Sequence, residues 1–155
     1  ALVAEMLRDR GLPSGPAAAG GAGSIAGSAG EPVAQRPVGT PLVLAGFSQG
    51  SVIACEAVLS AGVRPAALVI FSGSLIARER WAELALGPQR PFAGLPVFQS
   101  HGHSDPILPY EQGEALGVLL YEAGAERSFH PFAGGHAIPE TVVQAAHDWL
   151  AAQLR

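Results

Sequence analysis

The chain has 155 residues, with 9 basic and 13 acidic side chains and a formal net charge of −4 at pH 7. That length fits one domain and leaves little room for two independent cores. Charged residues make up only 14% and apolar ones 48%, against roughly 25% charged in an ordinary soluble domain, so disorder of the whole chain is excluded; the acidic balance argues against nucleic acid and anionic membrane surfaces as main partners. The apolar runs at 42–45 and 66–71 fall far short of the ~18 residues of a membrane helix, so no integral membrane contact is expected.

The single cysteine, Cys55, rules out an intrachain disulfide and any multi-cysteine metal site. It leans weakly towards a cytoplasmic location. No basic stretch followed by an apolar core opens the chain, so no signal peptide is visible. The one methionine is Met6, and the sequence starts inside what reads as a helix. The expectation is a piece of a longer protein.

Residues 1–12 read as a helix, with Leu2, Val3, Met6 and Leu7 on one face and Gly11 as its stop. Residues 13–41 are mostly Gly, Ala, Ser and Pro. They bury too little to offset chain entropy and read as a low-complexity loop. From residue 42 the pattern is regular. A buried strand is expected at 42–47 and a helix from Ser48 to about Ala61, with Val52, Cys55, Val58 and Leu59 on one face. A second strand follows at 67–71, then a mixed segment with a short helix at 78–86. The third strand is expected at 96–100, a helix at 110–123, the fourth strand at 127–132 and a last helix at 138–154. Strands alternating with helices imply an α/β fold with a parallel sheet.

Three motifs sit at strand ends. Gly46-Phe47-Ser48-Gln49-Gly50 lies where an apolar strand turns into a helix, the context a nucleophile elbow requires. Both flanking glycines are expected to clear side chains from that tight turn. A serine nucleophile needs a histidine base, and the base needs an acid to hold its tautomer. Of the three aspartates, Asp9 precedes the elbow and Asp148 lies in the last helix. Only Asp105, in His101-Gly102-His103-Ser104-Asp105-Pro106, falls in a loop after a strand. Of the histidines beyond it, His130 belongs to a strand and His147 to the final helix. His136, in Gly134-Gly135-His136, occupies a glycine-rich loop and is the expected base. His101 and His103 suit positioning of the Asp105 loop better than metal ligation, because no third ligand has suitable spacing. Cys55 reads as a small buried hydrophobe.

Together these strings resemble the phospholipase/carboxylesterase family of α/β-hydrolases, which includes acyl-protein thioesterases and lysophospholipases. They stand here as LVLAGFSQGS (42–51), FSGSL (71–75), HGHSDPILPY (101–110) and GGHAIPE (134–140), over roughly residues 41–150. The resemblance implies an α/β-hydrolase-type sheet with flanking helices, here apparently without the early strands. It implies Ser48 as nucleophile, Asp105 as acid, His136 as base and the backbone N–H of Gln49 as one oxyanion donor. The family usually has glycine where this chain has Ser51, a change expected to be tolerated. Leu75, Ile76 and Trp81 would border an acyl pocket, or simply form a packed connection. The implied activity is hydrolysis of a small-molecule carboxylic ester, or of a thioester or lysophospholipid, with no cofactor and no metal.

Such enzymes take a second oxyanion donor from a loop after an early strand, and no His-Gly motif precedes residue 42. Either upstream sequence completes the site, or the chain is a catalytically incomplete fragment. Without an early strand beside it, the 42–47 strand is expected to be an exposed edge. A dienelactone-hydrolase-like enzyme is a further alternative, disfavoured by serine rather than cysteine at position 48.

Overall fold

The computed structural model describes residues 40–155. The expected helix at 1–12 and nearly all of the 13–41 segment lie outside the described residues. The elements are β1 (Val43–Phe47), α1 (Gln49–Leu59), β2 (Ala67–Phe71), α2 (Arg78–Leu86), β3 (Pro96–Gly102), α3 (Tyr110–Glu122), β4 (Glu126–Phe132) and α4 (Glu140–Gln153). The strands form one parallel sheet in the order β1-β2-β3-β4. Each strand is thus linked to its neighbour by a helical crossover, as parallel pairing demands.

The sheet divides the apolar residues by alternation. Leu68, Ile70 and Val97 face one core with Cys55, Val58, Trp81, Phe92, Leu116 and Leu120. Val69 and Phe98 face the other, with Val142 and Ala146 of α4 and the half-buried Trp149. The first core draws on α1, α2 and α3, the second on α4 alone. Both faces of the central strands are covered, which is why β2 reads as an uninterrupted apolar run. Burying each large apolar side chain contributes about 1.5–3 kcal/mol. Cys55 is fully buried; burial, with a smaller push from Glu56, raises its thiol pKa to about 12, consistent with an inert packing residue.

Polar side chains close the remaining gaps. Buried Gln99 on β3 donates from Nε2 to the Gly113 carbonyl of α3 (2.7 Å) and accepts from Arg127 Nε of β4 (2.6 Å). Three elements are thereby tied, and a buried amide that would otherwise be costly is satisfied. Between α1 and α2, Glu56 accepts from Trp81 Nε1 (2.7 Å), from Ser60 Oγ (2.7 Å) and from Arg80 Nη2 (2.6 Å).

One strand boundary is corrected, and among the described residues β1 is the exposed edge expected of 42–47 and not a buried strand. β3 runs to Gly102, two residues past Ser100, because β4 continues to pair with it out to Phe132; His101 is therefore a strand residue. Among the described residues β1 pairs only with β2, and it is half-exposed along its length, with Phe47 38% accessible. No helix of the described residues is long and apolar enough to cross a membrane.

Candidate active site

Ser48 stands between β1 and α1 with φ 56° and ψ −120°. A non-glycine residue at positive φ is strained, at a cost of about 1–3 kcal/mol, and such residues cluster at functional sites. The turn is fixed by its neighbours. The Ser48 N–H donates to the Phe71 carbonyl of β2 (2.9 Å), and the Ser51 N–H donates to the Ser48 carbonyl (3.0 Å). Ser48 occupies the cap position of α1, yet its side chain makes no capping hydrogen bond. Its hydroxyl is not spent on holding the helix.

The two flanking glycines differ. A Cβ on Gly46 would run into the Gly50 carbonyl group and the Ser51 nitrogen, so only glycine lets the strand and helix approach this closely. A Cβ on Gly50 would meet nothing within 4 Å. The expectation that both glycines relieve crowding is corrected: crowding explains Gly46 alone.

Asp105 follows the end of β3. Its Oδ1 accepts from the backbone N–H groups of Ile107 and Leu108, both at 2.9 Å, an arrangement in which the side chain closes its own turn. Its Oδ2 accepts from Nδ1 of His136 at 2.8 Å. The Asp105 side chain is fully buried and that of His136 is 16% exposed. Burial pushes the Asp105 carboxyl up, but the bonds from His136 and the Leu108 and Ile107 amides outweigh it and hold it below the ordinary carboxylate range. An ionised carboxylate only accepts, so the His136 Nδ1 carries the proton and Nε2 is left as the basic nitrogen.

The loop bearing His136 is drawn onto β3. The Ser104 N–H donates to the Gly134 carbonyl (2.9 Å) and the His103 N–H to the Phe132 carbonyl (3.0 Å). A Cβ on Gly102 would strike the carbonyl oxygens of Gly134 and Gly135, so glycine at 102 lets the two loops meet. The His136 ring then reaches across the sheet end. Its centroid lies 4.7 Å from the Phe47 ring, tilted by 35°, and Phe47 directly precedes Ser48. Residues from the two outermost strands' ends are thus brought together over the interior strands.

The other histidines divide cleanly. His101 is fully buried; its Nε2 lies 2.8 Å from the Leu108 carbonyl and 3.5 Å from Asp105 Oδ2. Because a carbonyl only accepts, Nε2 carries the proton and ties β3 to the Asp105 loop. His103 is exposed, with its ring 4.4 Å from that of Tyr110. His130 stacks on Phe98 at 4.4 Å. His147 is exposed beside Asp148 on α4.

The three expected pocket residues are spread over different surroundings. Leu75 and Trp81 are buried in the larger core, whereas Ile76 is 63% exposed. Ile76 and Trp81 border an open groove of about 530 Å³ between α1 and α2, shared with Val52, Ile53 and Arg80; neither Ser48 nor His136 lines it. Gln49 is the exposed first residue of α1. Sequence reasoning missed Gln99 and the packing of Phe47 on His136; no spacing rule signals either, because both depend on which strands become neighbours.

A sheet carrying a strained serine after its first strand, and an Asp–His pair after its third and fourth, defines a hydrolase-type α/β protein. Residues 38–154 match the phospholipase/carboxylesterase family model, and the chain belongs to that family. It is 31% identical to acyl-protein thioesterase 1 of Neurospora crassa over 114 residues, which is 73% of this chain and 46% of that protein. The Bacillus cereus carboxylesterase structure superposes with a TM-score of 0.61 at 27% identity, covering 72% of this chain and 49% of the other. Acyl-protein thioesterase 2 of Zea mays shares the fold, with a TM-score of 0.66 at 22% identity over 77% of this chain and 59% of the other. The chain spans about half the length of the curated relatives it matches.

Proposed function

We propose that the chain carries the catalytic Ser48–His136–Asp105 apparatus of a serine hydrolase acting on small carboxylic esters. The observation that carries this reading is the buried Asp105–His136 hydrogen bond of 2.8 Å, with the imidazole packed on the residue preceding the strained Ser48. His136 Nε2 takes the Ser48 hydroxyl proton as Oγ attacks the acyl carbonyl carbon. The resulting oxyanion is held by the Gln49 N–H at the start of α1, where the helix dipole favours negative charge. The tetrahedral intermediate collapses, and the leaving alcohol departs with the proton from His136. A water, deprotonated by His136, then attacks the acyl-serine; the second tetrahedral intermediate collapses, His136 returns the proton to Ser48 Oγ, and the acid is released. Asp105 holds the imidazole in its Nδ1–H tautomer and stabilises the imidazolium formed in each half-reaction.

The names of the relatives, carboxylesterase and acyl-protein thioesterase, favour an acyl ester or thioester substrate. Lysophospholipids remain in the same chemical class, since they too present a single acyl ester. The test is labelling of this chain with a fluorophosphonate, which reports an activated serine without requiring the right substrate. Ser48→Ala runs alongside, with circular dichroism as folding control. Labelling that vanishes in Ser48→Ala is the expected result. A folded chain that takes no label would overturn the reading in favour of a catalytically incomplete fragment, in which a further oxyanion donor must come from elsewhere.

A further inference from the structure

We infer that Ser51 is a positioning residue for the nucleophile: its hydroxyl fastens the strained turn at Ser48 to the ends of both β1 and β2. The inference rests on the proposed role of Ser48. Ser51 is completely buried in the first turn of α1. Its Oγ lies 2.6 Å from the Gly46 carbonyl oxygen and 2.8 Å from that of Phe71. Both acceptors belong to the elbow's own framework. Gly46 is the glycine whose close approach the turn requires, and the Phe71 carbonyl also accepts the Ser48 N–H. The Ser51 backbone N–H, in turn, donates to the Ser48 carbonyl. Every polar group through which Ser51 reaches the strands therefore bears on the residue at φ 56°.

The physical need is specific. Among the described residues β1 has a neighbour on one side only, so within them no second strand holds its carboxyl end. A strained conformation persists only where its surroundings over-determine it. The hydroxyl supplies that constraint from within, crossing from helix to edge strand and on to β2. Its single proton is shared between two buried carbonyls; the Phe71 oxygen keeps the Ser48 N–H, so removing the hydroxyl takes its side-chain donor from the Gly46 oxygen and the second bond from Phe71, which costs more inside the protein than an exposed hydrogen bond would. Alanine at this position keeps the helix and its packing but loses the tether.

The test compares Ser51→Ala, Ser51→Cys and Ser51→Thr with the wild type in two measurements. The first is backbone amide exchange, read at Ser48 and, for reference, along β3 and β4. Ser51→Ala is expected to speed exchange at Ser48 by about tenfold and leave the β3–β4 amides unchanged. Ser51→Cys, a weak donor, falls between, and Ser51→Thr stays closest to wild type. The second is the rate of fluorophosphonate labelling of Ser48, expected to fall in the same order. Exchange at Ser48 that is unchanged in Ser51→Ala, or that rises equally across the sheet, overturns the inference; so does wild-type labelling by a variant whose Ser48 amide is freed. If the wild type itself takes no label, the ester-hydrolase reading fails, and the exchange pattern alone decides whether Ser51 holds the turn.

Discussion

The end of the molecule that carries Ser48 and the end that carries Asp105 and His136 are built to different standards. β3, which leads to the acid, is buried from Val97 to Gly102 and has paired strands on both sides. β1, which leads to Ser48, is half-exposed and among the described residues has one. The Asp105 carboxylate is satisfied by two backbone amides and one imidazole. Ser48 depends on a turn fixed by a few bonds to one neighbouring strand. On the proposed reading, the difference teaches that the two halves of a catalytic apparatus need different supports. A buried charge is tolerated only when fully hydrogen-bonded, so Asp105 sits where the sheet is deepest. A nucleophile, the role proposed for Ser48, must meet substrate, so its posture would rest on local strain and on the inferred Ser51 tether.

The sharpest way to break the acid–base end is Asp105→Asn. The side chain keeps its shape, and Oδ1 still accepts from Ile107 and Leu108. The amide that replaces Oδ2 can no longer accept the His136 Nδ1 proton as a carboxylate does. The imidazole then loses its tautomer and its counter-charge. In the chymotrypsin-type triad the equivalent change costs roughly 10⁴ in turnover. We expect a loss of that order in fluorophosphonate labelling, with the melting temperature changed by only a few degrees. A variant that labels within tenfold of wild type would remove Asp105 from the apparatus.

The nucleophile's end is broken sterically instead. Gly46→Ala puts a methyl against the backbone of Gly50 and Ser51, atoms that cannot rotate away. Overpacking costs about 1–3 kcal/mol, and rigid backbone places this site at the upper end. Thermal unfolding should shift down by more than about 5 °C, and labelling should be lost with the turn. Gly50→Ala is the paired control. Its methyl meets open space, and alanine favours a helix by up to about 1 kcal/mol over glycine. Its melting temperature should hold or rise. Equal damage from both substitutions would mean that the turn is not what makes Gly46 necessary.

How much of this was legible in the sequence follows the same division. β2 and α2 were readable to the residue, because an apolar run and an amphipathic stretch flanked by breakers carry their own boundaries. Ser48, Asp105 and His136 stood out as candidates because each follows a strand, and the structure brings Asp105 and His136 into hydrogen-bond contact. The extension of β3 through His101 and Gly102 was not legible. Polar His-Gly-His reads as loop, and only pairing with β4 makes it strand. The asymmetry between Gly46 and Gly50 was hidden too. Both flank the serine, but which one faces backbone depends on how α1 leaves the turn. Ser51 looked like a tolerated substitution, since a hydroxyl's partners lie on a strand twenty residues away. Local pattern reveals elements and candidate chemistry; contacts between elements reveal what holds them in place.

A polar cluster around Glu56 lies at the far end of α1, and acid weakens it as it weakens the Asp105 carboxylate. The Arg80 guanidinium, hydrogen-bonded to Glu56, pulls that carboxyl down to about 2; burial opposes the shift, and bonds from Ser60 and Trp81 assist it. A carboxyl whose pKa is lower in the folded than in the unfolded chain contributes stability above its unfolded value. The contribution fades as pH falls towards the folded one. For Glu56 the window runs from the ordinary 4.5 down to about 2. Asp105 adds a loss of the same sign below its ordinary 3.8. Glu56 is 36% exposed and Arg80 53%, so solvent screening keeps the contribution of the pair small. Glu56→Gln should therefore lower the melting temperature by only a few degrees at pH 7. That deficit should shrink between pH 4.5 and pH 2.5, as the wild-type carboxyl itself protonates. A deficit that stays constant over this range would assign the role of Glu56 to its neutral hydrogen bonds with Ser60 and Trp81, not to its charge.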